Sequence, residues 1–285
     1  MMPAEIINGK ELANKLRIHM KKEVNHLKEN GLTPHLTVIL VGDNPASKSY
    51  VRAKKKASCE IGISSEVIEF PFRTSEKELL KLINQLNDDN RVHGILVQLP
   101  LPPHIREQSI IETINPKKDV DGFHPINIGK MILGEDTFLP CTPYGILTML
   151  KSKSIDLEGK HVVVIGRSNI VGKPIGQLLL NENATVTYCH SKTKNLKQYT
   201  KTADILIVAI GKPNTIRKEH IKEGAVVIDV GVNRTKEGSL TGDVDFNDLY
   251  EKASYLTPVP KGVGPMTITM LLENTIKAAK GLNKE

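Results

Sequence analysis

The chain has no tryptophan, and phenylalanine and tyrosine bring the aromatic share to only 4%. A formal net charge of +7 would suit a nucleic-acid partner. Single strands, however, are held on aromatic stacking platforms, and duplexes by a concentrated basic stripe. Here the lysines are spread along helical patterns, so no nucleic-acid partner is expected. Cysteine is scarce too. Cys59, Cys141 and Cys189 stand far apart with no C-x-x-C pair, which argues against a disulfide framework or a zinc site and fits reduced thiols. None lies in a motif that would make it a catalytic nucleophile. No apolar run is long enough to span a bilayer. Met1-Met2-Pro3-Ala4-Glu5 lacks the basic and apolar regions of a signal peptide. The expected setting is cytoplasmic, without a membrane partner.

The common nucleotide fingerprints are also missing, although their setting is present. Val162-Val163-Val164-Ile165 is a run of β-branched residues suited to a strand buried on both faces. The chain breaks at Gly166-Arg167-Ser168 and resumes with Ile170, Val171, Ile175, Leu178 and Leu179 at helical spacing. A strand running through a glycine turn into a helix aims backbone N–H groups and the positive helix end at an anion. G-x-G-x-x-G would need glycine at Ser168 and Val171, and Pro174 stands where a P-loop needs its hydroxyl. The reading is a phosphate-binding turn with an unusual wording; a plain structural turn is the alternative.

Two domains are expected from 285 residues, of which 39% are hydrophobic and 25% charged. The polar stretch around Lys151-Ser152-Lys153-Ser154 is the best boundary. It gives a first α/β domain over 1–150 and a second over 151–264, with a last helix from about 265 to 285 returning to the first. After Gly166, Thr185–Tyr188, Ile205–Ile210 and Val226–Val230 alternate with helical segments, a doubly wound, Rossmann-type pattern. At the end of its second strand, where an acid would hold the ribose hydroxyls of NAD, stands Cys189-His190-Ser191-Lys192-Thr193-Lys194. Hydroxyls and cations there, together with Arg167, favour NADP over NAD.

In the first half, the spacing of Leu12, Leu16, Met20, Val24 and Leu27 predicts a helix over 8–30. The apolar strand Leu36–Val41 leads to Asn44-Pro45, an N-cap and first helical residue. Tyr50 and Lys54, four apart on the following helix, share a face near its start. That reads either as a stacking platform beside a proton-handling amine or as part of the solvated run Lys54-Lys55-Lys56. Strand Ser65–Phe70 and a helix over 75–89 precede strand Gly94–Gln98, whose terminal amide must find a partner. In Lys118-Asp119-Val120-Asp121-Gly122-Phe123-His124, three readings stay open: a metal site lacking most of its ligands, an Asp-capped turn, and a carboxylate accepting paired N–H groups from a heterocycle. Near the end, the Pro- and Gly-rich stretch Thr257–Thr267 reads as a rigid, site-lining loop.

Taken in order, V-G-D-N-P-A-S-K-S-Y-V-R-A-K, H-G-I-L-V-Q-L-P-L-P, K-D-V-D-G-F-H-P-I-N-I-G, P-C-T-P, G-R-S-N-I-V-G-K-P, G-D-V-D-F and T-P-V-P-x-G-V-G-P-M-T resemble the bifunctional methylenetetrahydrofolate dehydrogenase/cyclohydrolase family over nearly the whole chain. The resemblance implies two three-layer α/β domains, the second Rossmann-type. It implies NADP-dependent oxidation of 5,10-methylenetetrahydrofolate, then hydrolysis of the methenyl product to 10-formyltetrahydrofolate. By resemblance, Tyr50 stacks on the pterin, Lys54 is the acid/base group of hydrolysis, Gln98 positions Lys54, and Asp121 grips the pterin edge. Pro258, Gly262 and Gly264 would line the substrate, while Gly166, Arg167, Ser168, Ser191 and the backbone around Val232 would hold NADP. No metal is implied; a polyglutamylated folate substrate and a homodimer are. Lysine beside the methenyl cation should have its pKa lowered by burial and like charge. One departure stands out, because Lys261 replaces the first glycine of the family's P-G-G. The expectation is that this position does not need glycine's positive φ, and that Lys261 adds a cation towards the acidic tail of the folate.

Overall fold

The structure, a computed structural model, describes residues 3–235 and 238–282. Its strands are β1 (Glu5–Ile6), β2 (His35–Val41), β3 (Ser64–Phe70), β4 (Gly94–Val97), β5 (His161–Ile165), β6 (Thr185–Cys189), β7 (Ile205–Val208), β8 (Val226–Asp229), β9 (Asn233–Arg234), β10 (Leu240–Thr241) and β11 (Tyr255–Leu256). Its helices are α1 (Gly9–Glu29), α2 (Pro45–Ile61), α3 (Glu76–Asp88), α4 (Glu107–Thr113), α5 (Pro125–Leu133), α6 (Cys141–Ser152), α7 (Gly172–Asn181), α8 (Leu196–Thr200), α9 (Phe246–Leu249) and α10 (Val263–Leu282).

The chain packs as two compact units, here called after a residue of each. The Lys54 unit comprises Lys15–Cys141 and the segment from Ile268 onward; the Gly166 unit comprises the segment up to Asn14 and Thr142–Thr267. These divisions differ from the expected 150/151 and 264/265. Ile146, Met149 and Leu150 of α6 are fully buried or nearly so, and Gly145 lets α6 come so close to Met266 that a Cβ would lie 2.9 Å from the methionine Cβ. The polar stretch after Lys151 is therefore a surface loop inside one unit. Strand β1 joins the same unit by pairing in parallel with β11 (Glu5↔Tyr255), a two-residue ladder too short to leave a periodic pattern. The last helix, from Ile268 onward, belongs to the Lys54 unit, as its expected return to the first domain requires.

The Lys54 unit carries a three-stranded parallel sheet in the order β3-β2-β4. Its central strand β2 is buried from Leu36 to Val41. Leu79, Ile83 and Leu86 of α3 pack with Ile39, Ile95 and Val97 in one apolar cluster. The Gly166 unit carries a six-stranded sheet in the order β1-β11-β8-β7-β5-β6, with all of its pairings parallel. Val162 to Ile165 are at most 3% exposed. Each such side chain contributes about 1.5–3 kcal/mol relative to staying in water, so the strand that leads into the turn is firmly placed. Among the described residues, no helix is long and apolar enough to cross a membrane.

Parallel strands present their carboxyl ends to one edge, where α/β folds bind ligands. In the Gly166 unit, β5 lies between β6 and β7, so the chain reverses its direction of travel across the sheet there. The turn after β5 thus stands at the switch point.

Candidate active site

In the Lys54 unit, Asn44 caps α2 as its sequence suggests, its Oδ1 accepting from the N–H groups of Ala46 and Ser47 at 3.0 and 3.1 Å. Tyr50 and Lys54 lie one turn apart on that helix. Lys54 is only 4% exposed, whereas Lys55 and Lys56 are exposed, so the three lysines are not one solvated run. The Lys54 Nζ donates to Gln98 Oε1 at 3.0 Å and lies 5.1 Å from the centroid of the Tyr50 ring. Gln98 sits one residue beyond β4, and its Nε2 donates to the Leu99 carbonyl at 2.7 Å. That second bond settles which end of the amide faces the lysine, because only the carbonyl end can accept.

Burial is the largest influence on Lys54 and lowers its pKa; the nearby Asp121 and Cys141 act in the opposite direction. Burial raises the pKa of Asp121, while Lys54 pulls it down and Asp119 pushes it up again. The Cys141 thiol is held well above its usual range, first by burial and then by the charge of Asp121. The result is an amine that gives up its proton more readily than a surface lysine, next to a carboxylate that steadies it when charged.

The two carboxylates of the 119–124 segment have different work. Asp119 is 2% exposed and accepts from the N–H groups of Phe123 (3.3 Å) and His124 (2.7 Å) and from Asn127 Nδ2 (2.8 Å). It is the capped-turn carboxylate. His124 then caps α5, its Nδ1 accepting from Ile126 N at 3.1 Å. Gly122 has φ +75, and a Cβ there would lie 2.6 Å from the backbone at Leu139 and Pro140. With the turn so held, the Asp121 carboxylate is left to Lys54 and to the Cys141 thiol. Among the described residues no group of three metal-ligating side chains gathers.

Four supporting residues had little or no functional signal in the sequence. Cys141 Sγ donates to the Val120 carbonyl at 3.3 Å. Asn274, on the returning α10, donates to the carbonyls of Val120 and Leu139 at 2.9 and 3.0 Å. Lys118 Nζ donates to the carbonyls of Leu86 and Asp89 at 3.0 and 2.8 Å, closing the C-terminal end of α3. Asp119 was visible but not separable from Asp121. Cys141 stands in the P-C-T-P segment; Asn274 is one of several polar residues of α10, and only its burial at 2% together with its two bonds to distant carbonyls marks it.

In the Gly166 unit, Gly166 has φ +132, and a Cβ there would lie 2.3 Å from the Ala209 carbonyl oxygen. A Cβ on Gly172 would lie 2.5 Å from the Gly166 carbonyl oxygen. Two glycines in contact thus do what the usual three do, letting the helix start press against the turn. Ser168 Oγ accepts from the N–H groups of Val171 and Gly172, both at 3.2 Å, and its carbonyl accepts from Lys173 N at 3.0 Å. The first N–H groups of α7 are therefore turned onto Ser168, contrary to the simple picture of a free helix end. The N–H groups left to an anion are those of the turn itself, Arg167 to Ile170, which make no hydrogen bond among the described residues. The β5–β6 register pairs Ile165 with Cys189, so Arg167 and Ser191 each follow a paired residue by two and stand at the same sheet edge. Both are exposed. Val232, 64% exposed, lies in the loop after β8.

Pro258, Gly262 and Gly264 belong to the Gly166 unit and Lys54 to the other. Gly262 is a tight fit, since a Cβ would lie 2.4 Å from the Pro258 carbonyl oxygen, whereas Gly264 has nothing within 4 Å of one. Lys261 has φ +83. The expectation that this position does not need positive φ is overturned, since lysine itself adopts it here; its carbonyl accepts from Lys10 N at 3.0 Å. Lysine there carries a backbone cost of about 1 kcal/mol that glycine does not. Replacement of Lys261 by glycine is expected to raise stability by about 0.5 kcal/mol, after glycine's greater unfolded-state freedom is subtracted. The urea midpoint measures it, and a lower midpoint would contradict the strain.

Comparison with known proteins agrees with this layout. Residues 7–121 match a family model described as the tetrahydrofolate dehydrogenase/cyclohydrolase catalytic domain, and residues 140–283 match that family's NAD(P)-binding domain. A curated protein of Oceanobacillus iheyensis, Bifunctional protein FolD, is 70% identical over 280 residues, 98% of each chain. A crystal structure of the bifunctional enzyme FolD, methylenetetrahydrofolate dehydrogenase/cyclohydrolase, from Campylobacter jejuni is 54% identical with a TM-score of 0.96, covering 98% of this chain and 99% of that one. The Trypanosoma brucei N5,N10-methylenetetrahydrofolate dehydrogenase-cyclohydrolase, complexed with NADP cofactor and inhibitor, is 37% identical with a TM-score of 0.96 over the whole of both chains.

Proposed function

The chain belongs to the tetrahydrofolate dehydrogenase/cyclohydrolase family, and from that premise we infer that it oxidises 5,10-methylenetetrahydrofolate with NADP and hydrolyses the methenyl product to 10-formyltetrahydrofolate. The observation that carries the hydrolytic half is the buried Lys54 amine, bonded to Gln98 and paired electrostatically with Asp121.

The Gly166 turn fits the cofactor on its own geometry, because Gly166 and Gly172 pack backbone to backbone with no side chain between them, beside turn N–H groups that make no hydrogen bond among the described residues. Gly166, Arg167, Ser168, Ser191 and the backbone at Val232 would hold NADP, which takes up the hydride from the methylene bridge. Arg167 and the Ser191 hydroxyl suit its extra phosphate, and Ser168 shapes the turn through its bonds to α7.

Hydride loss leaves a cation shared between two folate nitrogens. Water then bonds to the methenyl carbon, and neutral Lys54 takes the proton that the water loses; an ammonium could not. Collapse of the resulting hydroxyl to a formyl group breaks the carbon's bond to the second nitrogen, which receives the hydroxyl proton. One proton is released overall, and it leaves by way of Lys54. Asp121 and the face of Tyr50 stabilise Lys54 in its charged interval. Tyr50 also offers a flat surface to the pterin, Asp121 a two-oxygen acceptor for its adjacent N–H groups, and Gln98 holds the lysine by one fixed acceptor. Pro258, Gly262 and Gly264 line the substrate. The substrate is a polyglutamylated folate, the working form a cytoplasmic homodimer.

A spectrophotometric assay with methylenetetrahydrofolate and either NADP or NAD, following reduced nicotinamide and methenylfolate together, tests the whole reading. Reduction with NADP and transient methenylfolate are the expected result; no reduction with either nucleotide would sink it.

A further inference from the structure

Asp243, of the G-D-V-D-F segment, is 0% exposed, yet no ion pair involving it occurs among the described residues. Its carboxylate is instead surrounded by amides. Oδ2 accepts from the N–H groups of Ile210 (2.7 Å) and Gly211 (2.9 Å), and Oδ1 from Lys212 N (2.8 Å) and Asn233 Nδ2 (2.8 Å). These donors come from two different places, the turn after β7 and the first residue of β9. Asp243 is itself held by a second buried acid. Asp229 Oδ1 accepts from the N–H groups of Asp243 and Gly231, both at 2.9 Å, and Oδ2 from Val244 N at 3.0 Å. Two glycines make room for the pair, since a Cβ on Gly231 would lie 2.3 Å from Asp243 Cγ and one on Gly242 1.7 Å from Asp229 Oδ2.

The turn that Asp243 gathers stands beside the phosphate turn. Ala209 N donates to the Ile165 carbonyl at 2.8 Å, and Ala209 is the residue against which Gly166 packs. The loop that it gathers through Asn233 carries the exposed Val232. The β7 turn therefore borders the switch point of the sheet, and the Val232 loop follows β8, the next strand over.

We propose that Asp243 is a positioning residue for the nucleotide: its carboxylate ties the Ile210–Lys212 turn to the Val232–Asn233 loop and so forms one wall of the crevice opposite Gly166–Ser168. This rests on the NADP reading of the same unit. A carboxylate suits the task because it offers only acceptors, two per side, to four converging donors. An amide cannot replace it. In Asp243→Asn, whichever way the side chain lies, one pair of donors meets an NH2 group and is left unbonded.

The test uses the full-length protein. Calorimetric titration of the unmodified enzyme with NADP comes first; absence of binding there would refute the nucleotide reading itself. For Asp243→Asn, hydrogen exchange at the amides of residues 210–212, without nucleotide, is expected to speed up, and the NADP Kd to rise about tenfold or more, the loss of one or two buried bonds. The cyclohydrolase rate, which depends on Lys54 and needs no nucleotide, is expected to stay within about twofold. Faster exchange with an unchanged NADP Kd would overturn the proposal, as would unchanged exchange. If Asp243→Asn loses both activities, Asn233→Ala decides, since it spares the aspartate and its three backbone donors. A Kd raised about threefold supports the wall; an unaltered Kd refutes it.

Discussion

Replacing Lys54 by methionine is expected to lower the hydrolysis rate by about a thousandfold while leaving measurable dehydrogenase activity. The magnitude is that of a positioned general base. Methionine keeps an unbranched stem of similar reach, so packing around α2 is preserved, and removing an amine that is only 4% exposed also removes a desolvation cost. Against this, Gln98 Oε1 loses its partner, worth about 1 kcal/mol. The melting temperature should therefore change little, which separates loss of chemistry from loss of fold. Direct assay of methenylfolate hydrolysis reads the result, and a rate near that of the parent would remove Lys54 from the mechanism.

The same group sets the pH dependence. Hydrolysis needs neutral Lys54, so kcat falls on the acid side of the lysine's pKa. That limb lies below the usual lysine range because burial lowers the pKa. Asp121 opposes this, favouring the charged amine. Converting Asp121 to asparagine removes that support, so the acid limb of the kcat profile should move to lower pH even though substrate affinity falls. A limb that stays in place or moves upward would show that Asp121 does not act on the lysine.

The second large effect concerns nucleotide choice. Changing Arg167 to alanine is expected to raise the KM for NADP by about tenfold to a hundredfold and to leave the KM for NAD within about twofold. A charge-assisted bond to a phosphate contributes roughly 1.5–3 kcal/mol, and NAD has no phosphate at that place. Arg167 is exposed and at the sheet edge shared with Ser191, so its removal should cost little stability. Hydrolysis of added methenylfolate needs no nucleotide and should be unaltered. Equal losses for NADP and NAD would mean that Arg167 serves the turn rather than the extra phosphate.

Much of the fold was legible because it depends on local pattern. The helix expected over 8–30 is α1, Gly9–Glu29; the strand expected over Leu36–Val41 is β2, His35–Val41; the Asn44-Pro45 cap is as read. Apolar runs and helical spacing report which face meets the core, and the core is where most of the stabilisation arises. Short elements were not legible. The β1–β11 pairing has two residues per strand, too few for any period, and with it went the true limits of the two units.

The anion turn shows the same division between local and distant effects. That a strand passes through Gly166 into a helix was plain from residue types, and the missing acid before Ser191 pointed to the nucleotide's extra phosphate. What the sequence did not contain was the capture of the α7 N–H groups by Ser168 or the contact between Gly166 and Ala209. Asp243 was legible only as part of a motif. Its four donors converge from residues 31–33 positions earlier in the β7 turn and from Asn233, ten positions earlier, and no spacing rule connects them.

For the reaction itself, residue types and order settled the family, and with it the two chemistries, while Tyr50, Lys54, Gln98 and Asp121 enter as the site residues that the resemblance implies. The tertiary structure decided which of three adjacent lysines is the buried one, which end of Gln98 faces it, and which of Asp119 and Asp121 stays free of the turn. A lysine's reactivity depends on desolvation and on charges brought near it by folding. Neither is a property of the residues that flank it in the chain, so burial and the approach of Gln98 and Asp121 across the sheet had to be seen in three dimensions.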